Sequence, residues 1–458
     1  LKGEQEKMKK VGMQLGLTLA LAASMLAGCG SNGNGEAADG NSSPSGNDTA
    51  PGSASASNKP ATLRYLTWDY SDRRASTDAW IKDLKDQESI TIDMQNVPTD
   101  QYNTTLKTKF AAKDLPDLVK THGLDKKLNM QEKLQVTADQ FVDLSDLPAV
   151  ADYLPSVIQD RKSNEAGKLY YVPTSTNALG VLYNKKTFSD NGIVVPHNID
   201  ELTAAFDKLK AAGVTPLAGG FKDAWLTQII PFIAFGQYVN AVNPEAKTKL
   251  SEGTLKYEDI HDAVVKALNV QLEWRDKGYF QKDILGTDAN VASQMVGTGK
   301  AAMIVVGTWQ LSAVQGADPN VEIGFFPLPL NAPGEKLVLP TSADEGVMIN
   351  ADSKNIEAAK TALNAYLSAD NQARVIADLN GIPTNTKVQV TNPFVKEVQT
   401  AMQQTEVQAD WWGGNGLYQP AGSTFNMEKS QQNLLAGGID PEDFIRDYDA
   451  ANAKALKK

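Results

Sequence analysis

The 458-residue chain has a single cysteine, Cys29, so no disulfide forms within it and its fold rests on packed cores. Histidine is nearly as scarce: His122, His197 and His261 stand far apart, and no Cys/His spacing of a zinc site occurs. No cofactor is expected. Basic charge falls short of acidic, 44 Lys and Arg against 55 Asp and Glu, for a net −11. A chain this acidic is a poor partner for nucleic acid or anionic lipid headgroups. A phosphate loop is missing too: Gly297-Thr-Gly299-Lys300 lacks the longer spacing that such a loop needs. The apolar run Val11–Leu26 has sixteen residues, short of the roughly 20 that cross a bilayer.

What is present is ordinary globular composition, 41% hydrophobic and 22% charged, enough for two cores of usual domain size. Lys7, Lys9 and Lys10 precede the apolar run, and small residues follow it, the order of a secretory signal over residues 1–28. Met8 is a natural start within it, which leaves the origin of residues 1–7 open. The run ends Leu26-Ala27-Gly28-Cys29, which resembles a bacterial lipobox. That resemblance implies acylation of Cys29, palmitate included, and anchoring to the outer face of a bacterial cell membrane. Residues 31–60 are almost all Gly, Ser, Asn, Ala, Pro and Asp, with no Leu, Ile, Val or aromatic residue. Such a segment builds no core and reads as a tether reaching roughly 30 Å.

From residue 62 onward the pattern is α/β. Thr62–Trp68 alternates as a strand, Ser76 is placed to cap a helix carrying Trp80 and Leu84, and Ile90, Ile92 and Met94 alternate again. A helix over 102–112 and a short strand at 117–119 complete a β-α-β-α-β order, which predicts a mainly parallel sheet. A second unit follows: a strand at 181–183, a helix opened by Asn198 and Glu201, and a strand at 214–218. Further helices are predicted near 262–276, 289–298, 355–379 and 439–455, and a buried strand at 301–306. Ligands of open α/β sheets bind beyond the carboxyl ends of the strands. That rule selects Trp68 and Asp69, Thr121 and His122, and Trp309.

Several stretches, Gly167-Lys-Leu-Tyr-Tyr-Val-Pro173, Leu182-Tyr-Asn-Lys185, Gly213-Val-Thr-Pro216, Gly299-Lys-Ala-Ala-Met303, Gly307-Thr-Trp309, Gly324-Phe-Phe-Pro-Leu-Pro329 and Gly437-Gly-Ile-Asp-Pro441, resemble in their order the family 1 extracellular solute-binding proteins. The resemblance covers nearly all of the chain from residue 62. It implies a two-lobed, type II periplasmic-binding-protein-like α/β fold, each lobe a mainly parallel sheet flanked by helices. It implies a ligand in the interlobe cleft, lobe closure, and the transmembrane permease of an ABC importer as partner. By position, chain crossings are expected near 172–177, 327–334 and 381–385. Lobe one is then 62–174 plus 331–383, and lobe two 175–330 plus 384–458, with residues 29–61 as linker.

A sugar site combines flat aromatic faces with carboxylates or amides at its edge. Trp80 and Trp274 lie in helix patterns and read as core. Trp309 and Trp225 resemble cleft positions of the family, and either ligand stacking or core packing satisfies their pattern. Trp411 and Trp412 open a glycine-rich loop with Asn415, where packing of one and ligand contact by the other are both open. Asn177 falls at the first expected crossing. Asp344 and Glu345 depart from the family's usual glycines; they read as ligand-binding carboxylates or as a solvated turn. No nucleophile–base arrangement suggests an enzyme, and adjacent residues of one strand point to opposite faces, which argues against Asp344 and Glu345 as a catalytic pair. The expected function is capture of a sugar or oligosaccharide by a monomer. The alternatives are a cationic or peptide cargo on the same fold, or a surface adhesin.

Overall fold

The computed structural model describes residues 60–68, 70–121, 140–162, 167–316, 318, 320–343, 345–408 and 424–457. Cys29 and the tether, and the candidates Asp69, His122, Asp344, Trp411 and Trp412, lie outside these residues.

Strands β1 (Ala61–Thr67), β2 (Ile90–Asn96) and β3 (Leu118–Thr121) run parallel in the order β2-β1-β3, joined by helices Arg74–Glu88 and Thr99–Ala111. A later strand, β9 (Gly346–Ile349), adds antiparallel to β3. The alternation in β1 sorts its side chains to two cores. Leu63 and Tyr65 pack with Trp80, Leu84 and Leu363 on one face; Leu66 and Trp68 pack with Tyr102, Val119 and Met348 on the other.

Ser76 does not cap the first helix as expected. The helix starts at Arg74, and Ser76 lies buried in its first turn with its backbone N–H donating to the Asp378 carboxylate at 2.8 Å. A distant acid thus satisfies one of the orphan donors that the serine was expected to serve. The long helix expected over 355–379 is two helices, Ile356–Leu367 and Ala369–Leu379. They break at Ser368, whose extended backbone lets its hydroxyl accept from the Asn371 N–H.

The second sheet contains β4 (Ser175–Asn184), β5 (Thr215–Leu217), β6 (Ala301–Gly307), β7 (Ile323–Phe326), β8 (Val338–Ala343), β10 (Ile382–Pro383) and β11 (Glu406–Gln408). Its main path is β11-β8-β4-β6-β5, with β7 and β10 also on β4. This sheet is mixed and not mainly parallel. β4 is antiparallel to β6, β7, β8 and β10, and only β5–β6 and β8–β11 are parallel. Its neighbours all meet one long strand from the opposite direction, which a βαβ pattern read from sequence does not show. Asn198 caps the helix Ile199–Ala211 as expected, its Oδ1 accepting from the Glu201 N–H at 3.0 Å while Glu201 Oε2 accepts from the His197 N–H.

The second sheet and its helices share one large core, including Leu182, Phe206, Phe235, Val306, Phe394 and Phe444. Each fully buried side chain of this size contributes about 1.5–3 kcal/mol relative to exposure. The chain passes between the cores three times: from Val172 to Ala178, from Leu339 to Val347, and from Leu379 to Phe394. Leu328 and Leu330, in the expected crossing at 327–334, pack in the larger core, and so does Leu339 beyond it. The three passages lie side by side: Ser175 and Thr176 pair with Pro383 and Ile382, and Thr176, Asn177 and Ala178 pair with Ala343, Ser342 and Thr341.

Candidate functional site

The candidate residues within the structure fall into two groups. The first surrounds Trp309. β6 ends at Gly307, and a turn at Thr308–Gln310 turns the Trp309 indole back over the strand end. A Cβ on Gly307 would meet the indole at 1.9 Å, so only glycine admits this approach. Trp225, in the turn Ala224–Gln228, faces Trp309 with ring centroids 6.4 Å apart and planes at 49°. Both indoles are half-buried.

The Trp225 turn is held from several sides. Asp223 Oδ2 accepts from the Ala289 N–H at 2.9 Å, at the start of the helix Ala289–Gly297. Thr227 Oγ1 lies within hydrogen-bond distance of the carbonyls of Ala224 and Glu428. Gln432 Nε2 donates to the Phe221 carbonyl at 2.8 Å. Asn177, only 1% exposed, joins this group through Thr308, whose hydroxyl donates to Asn177 Oδ1 at 3.1 Å. The amide group of β4 thereby fixes the residue next to Trp309.

The second group gathers at the ends of β1 and β3. Trp68 is buried, edge-on to Tyr102 at 4.5 Å. Thr121 is fully buried, paired with Gly346. Glu345 is neither a solvated turn nor exposed: it is 2% accessible, and its carboxylate is paired with Arg73 and with Lys120, the latter at 3.0 Å. Lys120 Nζ also stands 4.7 Å from the centre of the Trp68 ring. Neither Arg73 nor Lys120 stands out in the sequence as a site residue. The available signal was a lysine inside the apolar stretch Leu118-Val119-Lys120, since a charge buried in a strand needs a partner.

The segment 342–346 connects the groups, with Ser342 opposite Asn177 and Gly346 opposite Thr121. The arrangement offers flat apolar faces beside amide and hydroxyl groups at the passages between two cores. Among the described residues no cluster of three His, Cys, Asp or Glu side chains is placed to hold a metal ion, and no helix is long and apolar enough to cross a membrane.

The family model for bacterial extracellular solute-binding proteins matches residues 67–373, more than half of the chain. The chain belongs to that family. This solute-binding protein is 24% identical over 385 residues to the multiple sugar-binding protein of Streptococcus mutans, covering 81% of this chain and 89% of the relative. It is 24% identical over 362 residues to the melibiose/raffinose/stachyose-binding protein MelE of Bacillus subtilis, covering 76% and 78%. Its fold superposes on that of the binding protein RafE in complex with raffinose with a TM-score of 0.71 at 20% identity, over 86% of this chain and 99% of the other. The solute-binding protein thus has the two-lobed type II fold of sugar-binding relatives.

Proposed function

We propose that the protein captures a sugar or oligosaccharide between its two lobes and delivers it to the transmembrane permease of an ABC importer. The observation that carries this reading is the Trp225–Trp309 pair beside the buried amide of Asn177. Indole faces suit the C–H faces of pyranose rings, and amides suit their hydroxyls. The relatives named above, which bind multiple sugars or raffinose and its kin, support the same class of cargo.

The lobes meet at the three passages, so closure there would bring Trp68, Thr121 and Glu345 toward Asn177, Trp225 and Trp309. Asp69, His122, Asp344, Trp411 and Trp412 are proposed to line the same gap. The lipobox-like Leu26-Ala27-Gly28-Cys29 supports release of residues 1–28 and lipid anchoring through Cys29 at the extracellular face of the cell membrane. More than one acyl chain is needed for a stable anchor.

Titration of the purified protein with melibiose, raffinose and stachyose, followed by tryptophan fluorescence and thermal shift, tests the cargo. A saturable response to at least one is expected, with the sugar recovered unchanged. Silence with all three, alongside a response to a polyamine or peptide, overturns the sugar reading; appearance of cleaved product overturns pure binding.

A further inference from the structure

We infer that Glu345 is a positioning residue that ties the passage between the lobes to the ligand-facing edge of the first sheet, acting through Lys120 and Arg73 and not by touching cargo. Glu345 stands between β8, which pairs with β4, and β9, which pairs with β3. Its carbonyl accepts from the Thr174 N–H at 3.3 Å, joining two of the three passages through backbone. Its carboxylate enters the smaller lobe and meets Arg73, at the start of the helix Arg74–Glu88, and Lys120, in β3.

All three charged side chains are nearly inaccessible, at 5% for Arg73 and 2% each for Lys120 and Glu345. Charges removed from water this far are held only by close partners, so displacing one obliges the others to move. Lys120 passes the constraint on. Its ammonium lies over the Trp68 indole and within 3.5 Å of the Trp68 carbonyl, and its own carbonyl accepts from the Tyr102 hydroxyl. Trp68 and Tyr102 then meet edge to face. One carboxylate at the passage thus sets the ends of β1 and β3 together.

The test uses E345Q, K120M and the double variant of the purified protein. Amide hydrogen exchange at residues 66–68 and 118–121 needs no ligand. Each single variant is expected to raise exchange there about tenfold or more, and the double variant to add little, because the two residues act as one unit. Calorimetry with raffinose as probe is the second arm and rests on the sugar reading. Each single variant is expected to weaken raffinose about tenfold, again without additivity. Unchanged exchange in both singles overturns the inference. Losses of raffinose affinity that multiply in the double variant also overturn it, since Glu345 then acts on cargo independently of Lys120. A wild-type protein that ignores raffinose sinks that choice of sugar and leaves the exchange arm to decide. Should E345Q fail to fold, E345D replaces it; it keeps the charge one methylene short, and raised exchange confined to the same strand ends is expected.

Discussion

The indoles of Trp225 and Trp309 stand 6.4 Å apart at 49°, each carried on a short turn of the larger lobe. At this angle the two rings do not form parallel plates around one sugar ring; they present two faces in sequence. W225A and W309A should each weaken sugar binding by about 10- to 100-fold, or ~1.4–2.8 kcal/mol, and, because both indoles also pack against the larger core, lower the melting temperature as well. Isothermal calorimetry with whichever sugar binds the wild type measures this, and a full-strength W309A would remove Trp309 from the site.

Gly307 offers an indirect route to the same ring. Its backbone is ordinary extended chain, at φ −84° and ψ 161°, so alanine is tolerated there except for the contact with the indole. G307A should displace Trp309 and lower affinity nearly as much as W309A. The shift is visible as a changed tryptophan emission spectrum before any sugar is added.

Asn380 caps the helix Ala369–Leu379 in the left-handed region, at φ +52°. Its Nδ2 donates to Ser312 Oγ at 3.0 Å and its Oδ1 accepts from Asn392 Nδ2 at 2.6 Å, so one side chain of the third passage holds two elements of the larger lobe. N380A loses both bonds and adds a left-handed alanine, for a cost of about 2–3 kcal/mol. N380G loses the bonds and escapes the steric penalty, so it should cost ~1 kcal/mol less. Urea unfolding of the two variants checks the order.

His261 joins the helix His261–Asp276 to the helix Pro441–Ala455. Hydrogen bonds to the carboxylates of Glu442 and Asp262, with Glu258 also near, raise its pKa above the ordinary imidazole value. A raised folded-state pKa contributes stability that is full below the ordinary value of about 6.5 and fades as pH rises through the folded value. The wild type should therefore melt above H261Q at pH 5.5, with the gap shrinking by pH 8.5. A gap independent of pH would refute the link.

The first β-α-β-α-β unit was legible because β1 and β2 largely alternate, β3 is a short apolar run, and the intervening helices bury Trp80 and Leu84 or Tyr102 and Leu106 on one side. The mixed second sheet was not: nothing local in β4 records that four antiparallel partners come from distant segments. For the candidate site, Trp225 and Trp309 were legible as aromatics in turns and from family position. Trp68, expected beyond the end of β1 as a ligand contact, is buried with Leu66 in the second core of the smaller lobe, as the two-residue period of a strand places it. The partners of Glu345 were hidden because an ion pair closed by the fold leaves no periodic trace. The crossing expected at 327–334 rests on a proline-rich stretch that looks like connecting chain, whereas Leu339, well past it, still packs in the larger core.

β4 is flanked by partner strands from its first residue to its last, by β10 and β8 at the passages and by β6 and β7 deeper in. It is therefore a stiff beam rooted in the larger lobe. Bending it would break ladder bonds, so the lobe closure proposed above would spare it and fall on the few residues just ahead, 172–174. Such a pivot would be short, and Pro173 in its middle would restrict how the backbone on either side can turn.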